Sequence, residues 1–162
     1  MRRGQAAMEY IVTYGWAFLV ILVVIGGLAY FGVITPSRWV PERCDFGAQL
    51  ECKDYQLFTE KADLFFLNNF GKDISITGVQ MRMDDGSLSP TLSMTDTVGG
   101  SPVTTIDISA GATGDVILTL PSAADLTAGE KQQVTLVITF QRNPGGSPHT
   151  LTGTVYAKVK ES

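Results

Sequence analysis

The sequence predicts an α+β protein in which one long apolar helix precedes an antiparallel β domain. From Tyr10 to Ser37 there are 28 consecutive residues without a charge. In the carboxyl-terminal part, apolar and polar residues alternate with the period of two that is typical of half-buried strands. Residues 36–162 carry 10 Lys and Arg against 15 Asp and Glu. This mildly acidic single domain disfavours a nucleic-acid partner, because binding phosphates requires a basic surface.

The segment from Ile11 to Val33 has 23 residues and is apolar on every side. As a helix it would be roughly 35 Å long, enough to span a bilayer core of about 30 Å. Arg2 and Arg3 precede it, so the positive-inside rule predicts a cytoplasmic amino terminus and an external domain. An ordinary secretory signal cleaved after Ala29 is the competing interpretation. The length of the apolar run argues against it.

The residues before the apolar segment form a more specific pattern. The chain reads Arg2-Arg3-Gly4-Gln5, then two alanines and a methionine, then Glu9-Tyr10 and the apolar run. This order resembles the class III signal peptide of archaeal type IV pilin-like proteins. That family has a short basic leader ending in Gly, a mature chain beginning with Gln, and Glu-Tyr at the fifth and sixth mature positions. Ala7 departs from the family pattern, which often has Ser there.

The resemblance implies that a prepilin peptidase cleaves between Gly4 and Gln5 on the cytoplasmic side and leaves the helix on the mature chain. It also implies that Glu9 pairs with the new amino terminus of a neighbouring subunit, which would offset the burial of both charges. The expected partners are the membrane before assembly, the peptidase, the pilus assembly machinery and other copies of the chain in a helical homopolymer.

Small residues recur near the end of the apolar segment. Gly26, Ala29 and Gly32 follow one another at a spacing of three, which would permit close approach between helices. Ordinary small residues of a membrane helix are the alternative interpretation. We expect the helix to end at Thr35-Pro36, because the residue before a proline is disfavoured in the helical conformation.

The predicted organisation has four parts. A leader covers residues 1–4, a hydrophobic assembly or transmembrane helix covers 5–35, a linker covers 36–41, and a β domain, the head, covers 42–162. In the head, apolar residues alternate from Val134 to Phe140 and from Leu151 to Val159, and a turn-rich segment joins them. The sequence therefore predicts that the last two strands form a hairpin.

Two other strands are predicted earlier in the head. Ile74 and Ile76 share one parity, Val79 and Met81 share the other, and a glycine lies between them. This switch predicts a β-bulge at Thr77-Gly78 that keeps both sets facing the core. The apolar run at 64–67 predicts a central strand or one that meets a neighbouring subunit. Shorter strands are predicted at 104–109 and 115–120.

About six or seven strands in this length predict an antiparallel immunoglobulin-like sandwich, which also fits the heads of the pilin-like family. Cys44 and Cys52 lie close in the sequence, and outside the membrane they are expected to form a disulfide. A zinc site is disfavoured, because no second Cys/His pair supplies the remaining ligands. His149 is the only histidine and lies in a turn-rich segment.

The motifs of nucleophilic, phosphate-binding and zinc-dependent catalysis are missing from the sequence. We therefore expect no enzyme, no cofactor and no metal. The leading hypothesis is a structural pilin that is held in the membrane as a precursor with its head outside. After cleavage, its helices would form the core of an extracellular filament and its heads the surface, serving adhesion. The alternative is a membrane-anchored minor pilin-like or exoprotein subunit that presents a ligand-binding β-sandwich without forming long filaments.

Overall fold

The computed structural model describes residues 3–32, 40–95 and 100–161. The chain divides into two compact units, Met1–Pro41 and Glu42–Ser162. The first contains the helix and the second contains all the strands of the described residues.

The helix α1 runs from Arg3 to Tyr30 and has 28 residues. It ends earlier than the predicted Thr35-Pro36 boundary. Phe31 N donates to Gly27 O at 3.0 Å, and Gly32 follows with a φ of 66°. A glycine in the left-handed conformation just after the last turn is a common helix stop. The rest of the predicted helix, residues 33–35, and most of the linker, residues 36–39, lie outside the described residues.

The described residues of the head contain ten strands and one 3-10 turn at Ser122–Ala124. The strands are β1 Arg43–Asp45, β2 Leu50–Phe58, β3 Lys61–Asn68, β4 Ile74–Arg82, β5 Met94–Thr95, β6 Pro102–Val103, β7 Ile106–Ile108, β8 Thr113–Thr119, β9 Lys131–Arg142 and β10 His149–Lys160.

Hydrogen bonds join the strands into one continuous barrel-like sheet in the order β6-β5-β8-β3-β2-β10-β9-β4-β7, and β1 pairs with β10. Every pairing is antiparallel except that of β10 with β2, in which Val159 and Lys160 lie beside Leu57 and Phe58. The α+β class is confirmed. This topology does not establish an immunoglobulin-like sandwich. A sandwich consists of two separate sheets, whereas these strands form one hydrogen-bonded sheet.

The predicted bulge and hairpin are both confirmed. In the pairing of β4 with β9, the register shifts between Ile76 and Gly78, so Ile76 and Val79 both face the core and are fully buried. Strands β9 and β10 pair over ten of their twelve residues, from His149 with Phe140 to Lys158 with Lys131. These two strands and β4 contribute much of the core.

Strand β3 is central, with β2 on one side and β8 on the other. Leu64 and Phe66 are buried, whereas Phe65 points outward and is 36% exposed. Burial in the core therefore explains why the inward-facing residues of the run at 64–67 are apolar. The exposed Phe65 leaves an aromatic ring on the outer surface of the head.

The structure contains the predicted Cys44–Cys52 disulfide, which joins β1 to β2. Strand β1 has only three residues and pairs with β10, so the disulfide ties a short strand to a different part of the sheet. Both cysteines pack against the core.

Replacing both cysteines with serine is expected to destabilise the head. Closing this nine-residue loop contributes about 2.6 kcal/mol through the lost entropy of the unfolded chain. Chemical denaturation of the detergent-solubilised chain measures the free energy of unfolding, with the reduced wild-type chain as the control. An unchanged midpoint in both samples would contradict the expected contribution.

Candidate functional site

The surface of α1 is the largest apolar surface among the described residues. Every large hydrophobic side chain from Met8 to Tyr30 is exposed; Trp16 is 71% and Val23 is 66% exposed. The segment Met8–Tyr30 is long and apolar enough to cross a membrane. A helix that is apolar on all sides requires an apolar environment on all sides.

The energetic cost of leaving this helix in water is large. Fully burying one Val, Leu, Ile, Phe or Met side chain is worth about 1.5–3 kcal/mol. The exposed side chains of α1 therefore favour a lipid bilayer or a bundle of other apolar helices over solvent. Both environments can bury every face of α1, because no charged residue occurs between Tyr10 and Gly32.

Glu9 lies at the edge of this apolar surface and is exposed. One turn later, the hydroxyl of Thr13 donates to the Glu9 carbonyl oxygen at 2.9 Å. The rings of Tyr10 and Tyr14 lie beside each other, with centroids 4.3 Å apart. The backbone is already helical at Gly4 and Gln5, the predicted cleavage point. The Glu9 carboxylate thus lies about one turn along the helix from the predicted new amino terminus.

The three small residues of the predicted packing stripe do not share one conformation. Gly26 and Ala29 lie in α1, and a Cβ added at Gly26 would meet no atom within 4 Å. Gly32 lies after the helix with positive φ. Its backbone N–H donates to Ala29 O at 3.1 Å, so Gly32 belongs to the helix stop. The structure therefore retains two of the three as helical positions.

The head has a second surface of interest on the outward side of β2, β3 and β8. We call it the acidic face and define it by Asp54, Asp63, Phe65 and Asp115. Register places Asp54 and Asp115 on either side of Phe65 in one row. A groove of about 510 Å³ runs over it and is also lined by Tyr55.

Lysines also lie on or beside this surface. Lys160 Nζ donates to Gln56 Oε1 at 3.1 Å, and Gln56 lines the groove. Two other lysines each contact an acid of their own strand. Lys53 Nζ is 2.7 Å from Glu51 Oε1, and Lys61 Nζ is 3.3 Å from Asp63 Oδ2. The other oxygen of Asp63, Oδ1, is buried without a hydrogen-bond partner among the described residues. The cations thus compensate only part of the negative charge on the acidic face.

The pKa of the Asp115 carboxyl is raised above its ordinary value. Partial burial is the main cause, and the negative charge of Asp63 adds to it, with a smaller contribution from Asp54. A raised pKa in the folded state means that the ionised carboxylate destabilises the fold. Below the unfolded pKa of about 3.9 the Asp115 carboxyl is protonated, and the fold does not bear this cost. The free energy of unfolding decreases as the pH rises through the pKa of Asp115 in the folded state.

Replacing Asp115 with asparagine is therefore expected to raise the melting temperature at pH 7. The gain should vanish near pH 3, because both forms are then uncharged at this position. Asp85 provides the control. Its pKa is lowered by hydrogen bonding to Ser87, so Asp85→Asn should instead lower the melting temperature at pH 7. Thermal unfolding at the two pH values measures both effects, and equal responses of the two variants would contradict them.

The histidine and the groups that could bind a metal are the remaining candidates for chemistry. His149 is the first residue of β10 and is exposed, with its ring 5.7 Å from that of Phe140. Among residues 3–32, 40–95 and 100–161, no three His, Cys, Asp or Glu side chains are grouped to hold a metal ion. The surfaces of α1 and of the head are therefore the features on which a function can be argued.

Sequence reasoning did not identify the acidic face. Asp54 and Asp63 come from consecutive strands, whereas Asp115 is more than 50 residues further along the chain, and the three meet only through the pairing of β2 with β3 and of β3 with β8. Phe65 belongs to the apolar run at 64–67, and the sequence alone did not predict which residues lie beside its outward-facing ring. No protein-family model matches the chain, and a search of curated proteins finds no match.

Proposed function

We propose that this chain is a structural subunit, a pilin, of an extracellular archaeal type IV-like pilus. A prepilin peptidase removes residues 1–4, and the retained helix moves from the membrane into the core of a filament. The heads form the outer surface and serve adhesion. The observation that carries the proposal is an apolar helix exposed on every side, directly after the Gly4-Gln5 and Glu9-Tyr10 pattern.

The physical argument rests on the same helix surface in two environments. In the membrane, lipid covers α1 on all sides, and in a filament, neighbouring copies of α1 do so. Little hydrophobic stabilisation is lost in the transfer, because burial is proportional to apolar area in either case. Identical subunits that repeat head to tail without closure form a helical filament.

The head fits an external location. It contains a disulfide, which is typical of proteins outside the cytoplasm. Its strands enclose one common core, and an immunoglobulin-like arrangement of the head is part of the proposal. A stable core of its own allows the head to remain folded while α1 changes its environment.

Electron microscopy of sheared cell-surface material, labelled with an antibody against the head, tests the proposal. We expect thin filaments that carry the label along their length. Label that remains in the cell membrane, with no labelled filaments, would refute the proposal that this chain is a pilin. It would favour the alternative subunit that presents its head to a ligand, an alternative supported by the groove on the acidic face.

A further inference from the structure

The described part of the head carries a second charged surface, of opposite sign to the acidic face. We call it the basic face and define it by Arg43 of β1, Lys158 of β10, Lys131 of β9 and Arg82 of β4. Lys158 and Lys131 lie directly opposite each other, and Arg43 lies beside the next outward residue of β10, Tyr156. Arg82 lies at the far edge, opposite Thr135.

The outward direction of these cations follows from burial along their strands. Ala157 and Val159 are buried on either side of the exposed Lys158. Val134 and Leu136 point into the core, so Lys131 has the outward parity of β9. Asp45 of β1 also lies on this surface, and its carboxylate accepts from Gly47 N at 2.9 Å. The exposed acids Glu42 and Glu130 directly precede Arg43 and Lys131 in the chain.

The two faces point away from one common core. The buried Leu64 and Val116 behind the acidic face belong to the same cluster as Leu136 and Val155 behind the basic face. A contact between the acidic face of one head and the basic face of another therefore leaves one face of each kind unoccupied. Such a heterologous contact adds further subunits without closing into a dimer.

Both faces hold like charges close together. Lys131 and Lys158 are direct cross-strand neighbours on the basic face. Asp54 and Asp115 flank Phe65, and the exposed ring adds a surface that attracts cations. A cationic side chain in the groove would relieve the repulsion among the carboxylates.

We propose that the acidic face of each head binds the basic face of a second copy of this chain, so that neighbouring heads of the filament are linked by charge. This inference rests on the proposed pilin function and adds the contact between heads to the packing of the helices. The occupant of the groove is a lysine or arginine side chain of the neighbouring head. The choice of a second copy follows from the complementary charges on the two outward faces.

Zero-length carbodiimide cross-linking of wild-type filaments tests the contact directly. Subunits grown with light and heavy nitrogen are mixed before assembly, so mass spectrometry can identify bonds between different copies. We expect mixed-isotope peptides that join Asp54 or Asp115 to Lys131 or Lys158. Cross-links between copies that involve only other residues would overturn the inference.

Charge reversal provides a second test on the full-length chain. One variant carries Lys131→Glu with Lys158→Glu, and another carries Asp54→Lys with Asp115→Lys. Each should lower filament yield about tenfold or more, because like charges then face each other. A combination of all four substitutions should restore the yield. Lys72→Glu with Asp84→Lys, in exposed turns, is the matched control and should assemble normally.

The outcomes separate the two proposals. Absence of any filament containing the wild-type chain would overturn the pilin function itself. Normal assembly of both reversed variants, or no recovery in the combined variant, would overturn the contact between heads and leave the pilin function standing. Thermal unfolding of each variant identifies any variant that fails to fold. For such a variant, the cross-links formed in wild-type filaments decide whether the acidic face of one head binds the basic face of another.

Discussion

Replacing Glu9 with alanine is expected to abolish filament assembly while leaving the precursor inserted in the membrane and cleaved. Glu9 is the only acidic residue in the first 41 and lies at the edge of an otherwise uncharged helix surface. In the proposed filament core, its carboxylate compensates the amino terminus that cleavage creates at Gln5 of a neighbouring subunit. Removing one partner of a buried ion pair costs about 3–5 kcal/mol.

This cost corresponds to a loss of about two to three and a half orders of magnitude in subunit affinity. Filament yield in the sheared fraction measures the loss, and the membrane fraction measures insertion and cleavage. Glu42→Gln is the control, since Glu42 is an exposed carboxylate at the start of the head. Glu9→Ala filaments in wild-type amounts would refute the proposed role of Glu9.

Replacing Gly153 with valine is expected to lower the stability of the head strongly. Gly153 lies in the middle of β10 and is buried. A Cβ added there would lie 2.2 Å from Cδ1 and 2.4 Å from Cγ of Phe46. The Phe46 ring cannot easily move away, because it is 2% exposed and packs edge to face against Phe66 at 4.9 Å.

Overpacking of a core typically costs about 1–3 kcal/mol, and valine adds two further methyl groups to the clash. Thermal unfolding of Gly153→Ala and Gly153→Val measures the effect in steps. Gly78→Ala is the matched control, because Gly78 is also buried in a strand but its added Cβ would be 3.4 Å from Thr91. Equal melting temperatures of the two alanine variants would contradict this account of Phe46.

The sequence was sufficient to predict the strands in which large apolar residues alternate with polar ones. The parity switch between Ile76 and Val79, with Gly78 between them, identified both β4 and its bulge. The alternation from Val134 onward identified β9. In these strands, the side chains that point inward are large and apolar, so the pattern directly records the position of the core.

Strand β2 was not predicted, for a related physical reason. It also contains a register shift, between Cys52 and Asp54, so its inward residues change parity within nine positions. Here the extra residue is Lys53 and no glycine marks the bulge. Four of the nine residues of β2 are charged or polar, and its pairing with β3, rather than its own pattern, determines the strand.

Asn68 shows the limit of reading turns from composition. It begins a turn-rich segment of the sequence, yet it is the last residue of β3 and is fully buried. Its side-chain amide donates to Ile108 O at 2.8 Å and to Lys72 O at 2.9 Å. These bonds satisfy two carbonyl groups at the end of the barrel-like sheet, a role that depends on contacts distant in sequence.

The helix end was misplaced for a different reason. Gly32 was assigned to helix packing, whereas its positive φ makes it part of the stop that follows Tyr30. Glycine just after an apolar run is a recognised signal for a helix end. The proline at position 36 is also such a signal, and sequence alone does not rank the two.

The intact mass of the subunit recovered from sheared surface filaments tests the central claim most directly. The account predicts a chain that begins at Gln5, has 158 residues and retains the whole apolar helix from Met8 to Tyr30. A product of 133 residues, which would result from cleavage after Ala29, would lack that helix and contradict the account.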